Sequence, residues 1–173
     1  MRMKAIAITS GAVLAAALVP GTASADPEHH GGSAATPAPP GTPAVSSTEL
    51  ARGSLGEFHV EDRGSDVRLS AGEPTDLVLV QATLLPGRET GWHGHAGPSL
   101  VIVKEGAMTL VEPRPENRGC DREEFSAGDA FAHPTGAHNF VNRGRAPVTF
   151  FLAYFVPEDA TPAPVPTDVP RGC

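Results

Sequence analysis

Between residues 48 and 157 the apolar residues come in short runs, and nearly every run is closed by Gly, Pro, Asn or Asp. The runs fall at 77–80 with Leu84-Leu85 behind them, then at 100–103, 108–111, 123–125, 130–132, 139–141 and 148–156. Gly and Pro at such intervals interrupt any 3.6-residue stripe, whereas many short strands at regular spacing build a sandwich or barrel. The 19 Gly and 18 Pro of the 173 residues fit that class. The reading is therefore all-β. The run 100–103 leads through Lys104-Glu105-Gly106 straight into 108–111, which predicts a hairpin. The strongest apolar segment is 148–156, VTFFLAYFV. Only 47–52 offers a short helix, and no internal repeat stands out.

The two ends differ from this middle. Arg2 and Lys4 precede an apolar stretch at 5–19, followed by Pro20-Gly21 and Ala23-Ser24-Ala25. That is the pattern of a secretory signal peptide, residues 1–25, cut after Ala25. The apolar stretch is shorter than the roughly 20 residues a membrane span needs, an uncleaved anchor being the alternative. Residues 26–47 are mostly Pro, Gly, Ala, Ser and Thr and cannot bury enough surface to order themselves, so they read as a disordered linker. The adjacent His29 and His30 lie there as a solvated pair. The folded part is expected over 48–157. Residues 158–173 form a Pro-rich tail without regular structure of its own.

Charge narrows the partners. The formal net charge is -7, and removal of Arg2 and Lys4 with the signal peptide takes it to -9. Phosphate neutralisation needs clustered Lys and Arg, so a nucleic-acid partner is not expected. Without a basic run or an internal apolar span, no membrane partner is expected after signal cleavage either. The expectation is a secreted, extracellular protein. In that oxidising setting the two cysteines, Cys120 and Cys173, read as one disulfide tying the tail back to the body. Two free thiols or an intermolecular bridge are the alternatives. A loop of about 50 residues closed this way stabilises by roughly 4 kcal/mol in the chain-entropy account.

Four of the seven histidines fall in two short windows. In Trp92-His93-Gly94-His95, strand alternation puts both imidazoles on one face, half of a metal site. In the window 128–142, GDAFAHPTGAHNFVN, Pro134 and Gly136 make a turn and His138 opens the next strand. In a closed barrel His138 meets the first pair in the interior. Phe140 and Asn142 share its face by parity, Phe140 lending the pocket apolar character.

These windows resemble the two motifs of the cupin superfamily, small jelly-roll β-barrels. The first motif, G-x5-H-x-H-x3-E-x6-G, is matched by Gly87, His93, His95 and Gly106, with Ser99 where the family has Glu. The second, G-x5-P-x-G-x2-H-x3-N, is matched by Gly128, Pro134, Gly136, His138 and Asn142, one residue short before His138. The chain is also similar to small exported actinobacterial cupins with a Gly-Pro step after H-x-H, here Gly97-Pro98, and cysteines placed like Cys120 and Cys173. The resemblance implies a single cupin barrel holding a divalent transition metal (Fe, Mn, Ni, Cu or Zn) through His93, His95 and His138. Three neutral ligands leave the ion's charge uncompensated, which favours hydroxide, an anionic substrate or O₂ in the open positions. Ser99 is better suited to holding a water than to ligation. His133 is a neighbour of the ligand turn, able to support a ligand but read first as an exposed turn residue. Glu89 is read as solvated, Trp92 as packing, and His59 is given no role.

Two functions of different class follow. One is a metal-dependent oxidoreductase of the dioxygenase type acting on a small molecule. The other is a non-catalytic extracellular binder of a small molecule or metal with a degenerate site. No phosphate-cradling loop and no G-x-S-x-G elbow is present in the sequence. The family also implies a possible homodimer.

Overall fold

The computed structural model describes residues 44–115 and 119–173. The expected signal peptide and the linker up to residue 43 lie outside the described residues. Ten strands follow in order: β1 (Val45–Asp62), β2 (Val67–Leu84), β3 (His93–Gly94), β4 (Ser99–Glu105), β5 (Ala107–Pro113), β6 (Cys120–Ser126), β7 (Ala130–His133), β8 (Asn139–Val141), β9 (Val148–Pro157) and β10 (Val165–Pro166). The all-β reading holds, with antiparallel pairing throughout.

One sheet runs β1-β2-β9-β4-β7 and the other has β6-β5-β8 at its heart. Bridges Glu89–Val141 and His93–His138 continue the second sheet from β8 to β3, and β10 pairs with β3. β9 shows why the sheets face one another. Its apolar run alternates, with Val148, Phe150, Leu152, Tyr154 and Val156 all buried and the residues between them only half-buried. Side chains of a strand project to opposite faces, so one face of β9 fills the space between the sheets. Val78, Val101 and Val103 of the first sheet meet Met108, Leu110 and Phe140 of the second in that core.

Three expectations are corrected. Residues 47–52 are not a helix but part of β1, pairing with 78–82 of β2. Leu50 is exposed and the stretch has no helical apolar stripe, so an isolated turn of helix has nothing to pack on, while pairing with β2 gives its backbone a ladder along one side. The runs 100–103 and 108–111 are not a hairpin. β4 already has β7 and β9 on its two sides, so β5 joins the opposite sheet and faces β4 across the core. Gly106, with φ of 83°, makes that change of sheet, and a Cβ there would press on the Pro147 carbonyl at 2.9 Å. The Pro-rich tail does contain a strand, β10, because β3 offers it an open edge. β1 starts at Val45, three residues ahead of the expected start of the barrel.

Candidate metal centre

His93 lies on β3, His95 just beyond it, and His138 just before β8. His93 and His138 face each other as an antiparallel pair and exchange both backbone hydrogen bonds, at 3.0 and 2.9 Å. That pairing fixes the two imidazoles side by side, ring centres 4.2 Å apart. Alternation across Gly94 brings His95 to the same face, its ring 4.9 Å from that of His93 and 5.4 Å from that of His138. One ring nitrogen of each lies within 4.8 Å of the others.

The second nitrogen of each ring decides what the first can do. Nδ1 of His93 is 2.8 Å from the Gly91 carbonyl, Nδ1 of His95 is 2.9 Å from the Pro162 carbonyl, and Nδ1 of His138 is 3.0 Å from the Gly136 carbonyl. A carbonyl only accepts, so all three Nδ1 atoms carry the proton and donate. In the neutral ring each Nε2 then keeps a free lone pair. Burial pushes the pKa of all three below the ordinary histidine value, to about 3 for His138, where the neighbouring His133 adds to the effect. Three neutral Nε2 donors with backbone-anchored rings are a donor set that fits a divalent transition metal.

A cavity of about 140 Å³ opens in front of His93 and His95. Phe140, Phe150, Leu152 and Tyr154 form its inner wall, and Pro162, Ala163 and Pro164 of the tail its outer one. The Tyr154 hydroxyl lies 3.4 Å from Nε2 of His95 and, as the group with a proton to give, donates to it. Burial drives the Tyr154 pKa upward, so the phenol stays protonated.

The remaining expected residues separate. Phe140 is buried against the His138 ring, at 5.0 Å. Asn142 is buried and donates to the carbonyls of Leu84 and Ala146, tying the end of β8 to the first sheet rather than facing the histidines. Ser99 is buried on β4 between His133 and Tyr154 and is among the residues lining a separate cavity of about 780 Å³. His133 is not an exposed turn residue. As the last residue of β7 it points inward, 3% exposed, with its ring 3.9 Å from that of His138. Its Nε2 is 3.1 Å from Glu112 Oε1, yet the angle is too poor for a hydrogen bond. Burial holds its pKa down to about 4. Glu89 is exposed, as expected, and accepts a hydrogen bond from Asn139. Cys120 and Cys173 form a disulfide.

Sequence reasoning missed Tyr154 and Pro162. Strand parity in 148–156 would have put Tyr154 inside with Phe150 and Leu152. Pro162 contributes only a backbone carbonyl from a distant segment, which no residue-type pattern marks.

No protein-family model and no curated protein matches the chain. Solved structures do. Peruvianin-I, a cysteine peptidase from Thevetia peruviana latex, is 20% identical, with a TM-score of 0.51 over 76% of this chain and 72% of its own. An oxalate oxidase is 16% identical, with a TM-score of 0.50 over 73% of this chain and 56% of its own, so the present chain spans about half of that enzyme. A cupin domain from Bordetella pertussis is 20% identical over 65% of this chain and 94% of its own, with a TM-score of 0.42. At such identities the likeness to the first two is one of architecture alone, an antiparallel jelly-roll β-barrel.

Proposed function

We propose that this is an exported cupin-fold protein that binds one divalent transition metal through Nε2 of His93, His95 and His138, and uses it on a small molecule in oxidoreductase chemistry. The observation that carries this is the set of three Nδ1–H···O=C hydrogen bonds, which leaves three neutral Nε2 donors in one cluster, two of them bordering the cavity. A bound ion would supply Lewis acidity and open positions for O₂ or an anionic substrate. The chain's own part is to keep the donors neutral by burial, to exclude bulk water with Phe140, Phe150 and Leu152, and to present the Tyr154 hydroxyl beside the ligands. The small cavity suits a small molecule. The disulfide and the signal-like N-terminus support export; among the described residues no helix is long and apolar enough to cross a membrane.

One observation favours the alternative, a non-catalytic binder. Ser99 stands where the cupin motif carries a carboxylate ligand, and on the inner face of β4, paired with His133 and Tyr154, it offers only a hydroxyl in place of a fourth charged ligand. Elemental mass spectrometry of the mature protein beside His93→Ala/His95→Ala tests the centre. Near-stoichiometric metal in the former and none in the latter supports it; no metal in either, after reconstitution with each ion, overturns it. Oxygen uptake by the loaded protein with small-molecule substrates separates enzyme from binder.

We also propose a homodimer formed through the outer face of the first sheet. Leu79, Ala153 and Leu100 lie in one cross-strand row there, with Ile102 and Phe151 in the next, and Leu79, Leu100 and Ile102 are exposed. An apolar row of this kind is a common protein contact surface. Light scattering should report a dimer for the wild type and a monomer for Ile102→Glu.

A further inference from the structure

Beyond Pro157 the chain turns back across the barrel mouth. Ala160 packs against the core, and the Pro162 carbonyl accepts the Nδ1–H of His95. Ala163 and Pro164 face the histidine cavity. Val165 and Pro166 then pair with Gly94 and His93, and the Thr167 N–H donates to the Trp92 carbonyl at 3.0 Å. Finally Cys173 is bonded to Cys120, at the start of β6 in the second sheet. The segment is thus held at both ends, and what lies between is the outer wall of the site.

We propose that the C-terminal segment 160–173 is a working part of the metal centre: pinned by the Cys120–Cys173 disulfide, it positions His95 through the Pro162 carbonyl and closes the cavity from outside. This rests on the three-histidine reading above. Pro162 is the positioning residue, and its action is specific. Its carbonyl selects the tautomer with the proton on Nδ1 and fixes the ring plane. Without it, the His95 ring is free to turn and to carry its proton on Nε2. Among the described residues the only other polar contact of that ring, the Tyr154 hydroxyl, engages Nε2 itself and so competes with an ion for the same lone pair. His93 and His138 keep their own carbonyls, Gly91 and Gly136, whatever the tail does. A barrel without its tail therefore holds an ion with two oriented imidazoles and one loose one. Loss of such a supporting hydrogen bond weakens metal binding by about 10–100-fold.

The test compares four full-length mature proteins and one truncated form, each titrated with Co²⁺ in competition with a chelator and read by visible absorption. They are the wild type, His93→Ala/His95→Ala, Cys120→Ser/Cys173→Ser, and Cys120→Ser/Cys173→Ser/Thr167→Pro, which frees the tail without deleting it. The truncated form ends at Thr161 and carries Cys120→Ser. The truncated form should bind Co²⁺ about 10–100-fold more weakly than the wild type and show a shifted cobalt spectrum. The triple variant should follow it, and the double serine variant should fall between. A truncated form that melts cooperatively and keeps wild-type affinity and spectrum overturns the proposal. Should the truncated form not fold, the triple variant decides on the same two readouts. A wild type that takes up no Co²⁺ overturns the three-histidine reading itself, and this proposal with it. Wild-type binding that the tail variants leave unchanged overturns the tail's role alone.

Discussion

His138 and His95 bring a ring nitrogen to the same three-histidine cluster and are held in opposite ways. The carbonyl that anchors His138 lies two residues upstream, its backbone is locked to His93, and its ring is 1% exposed between His133 and Phe140. The carbonyl that anchors His95 comes from Pro162, 67 positions along the chain, and its ring is only partly buried. One half of the centre is thus a property of the barrel, set by a Pro-Thr-Gly turn and a strand pair. The other half is assembled from a distant segment that the barrel alone does not keep in place. Local anchoring costs little chain entropy, whereas a long-range contact needs a tether, which here is the disulfide.

The largest effect should come from Gly97, which carries the His95 loop over β9. A Cβ there would overlap the Phe155 carbonyl, and the Phe155 N–H is bonded to the Pro98 carbonyl, so neither backbone can yield freely. Gly97→Ala should destabilise the barrel by about 3 kcal/mol or more. Chemical denaturation measures this; a loss below about 1 kcal/mol would mean that the loop is not seated as described.

Next come the ligands themselves. His95→Ala and His138→Ala should both abolish stoichiometric metal binding, but only the second should weaken the metal-free fold. His138 fills a buried site among aromatic rings, and its removal should cost about 2 kcal/mol, against less than about 0.5 kcal/mol for the half-exposed His95. Equal losses of stability would erase the distinction between an inner and an outer half.

A pH titration of the metal-free protein sharpens the same contrast. His138 and His133 have folded pKa values near 3 and 4, below the unfolded value of about 6.5. Between those limits the unfolded chain binds more protons than the native one, so stability rises with pH. The metal-free protein should therefore lose stability steadily as pH falls from about 6.5 towards 3, and His133→Phe should flatten part of that slope. A melting temperature independent of pH across this window would show that these rings are not buried and neutral.

Much of this was legible beforehand, and the failures have a common cause. Alternation in 148–156 and the H-x-H step carry their structure locally, so a sandwich or barrel and the shared face of His93 and His95 could be read from period. The approach of His138 followed only for the closed barrel that the resemblance to the cupin motifs implies. The 100–103 and 108–111 pair misleads because a short turn between two strands looks the same whether they join one sheet or face across a core. The choice depends on which edges β4 has left, which is decided by β7 and β9. His133 looked like a turn residue beside Pro134; it is buried because β7 pairs with β4 down to Ser99, placing its last residue inside. The role of Pro162 was invisible, since a backbone carbonyl has no residue type and the tail's path is set by β3's free edge and by Cys120.

The smallest expected effect belongs to Tyr154. Its hydroxyl reaches His95 at 3.4 Å, a long hydrogen bond, so Tyr154→Phe should change the stability of the metal-free protein by no more than about 1 kcal/mol. Its effect on metal binding has a definite sign. In the metal-free site the hydroxyl occupies the lone pair of Nε2 that an ion needs, and binding must break that hydrogen bond. Removing the hydroxyl spares this cost, so Co²⁺ affinity should rise, by no more than the factor of about ten that 1.4 kcal/mol represents. A fall in affinity of the same size would mean the reverse: the hydroxyl supports whatever shares the ion with the histidines, and the outer half of the centre would then owe its hold to β9 as well as to the tail.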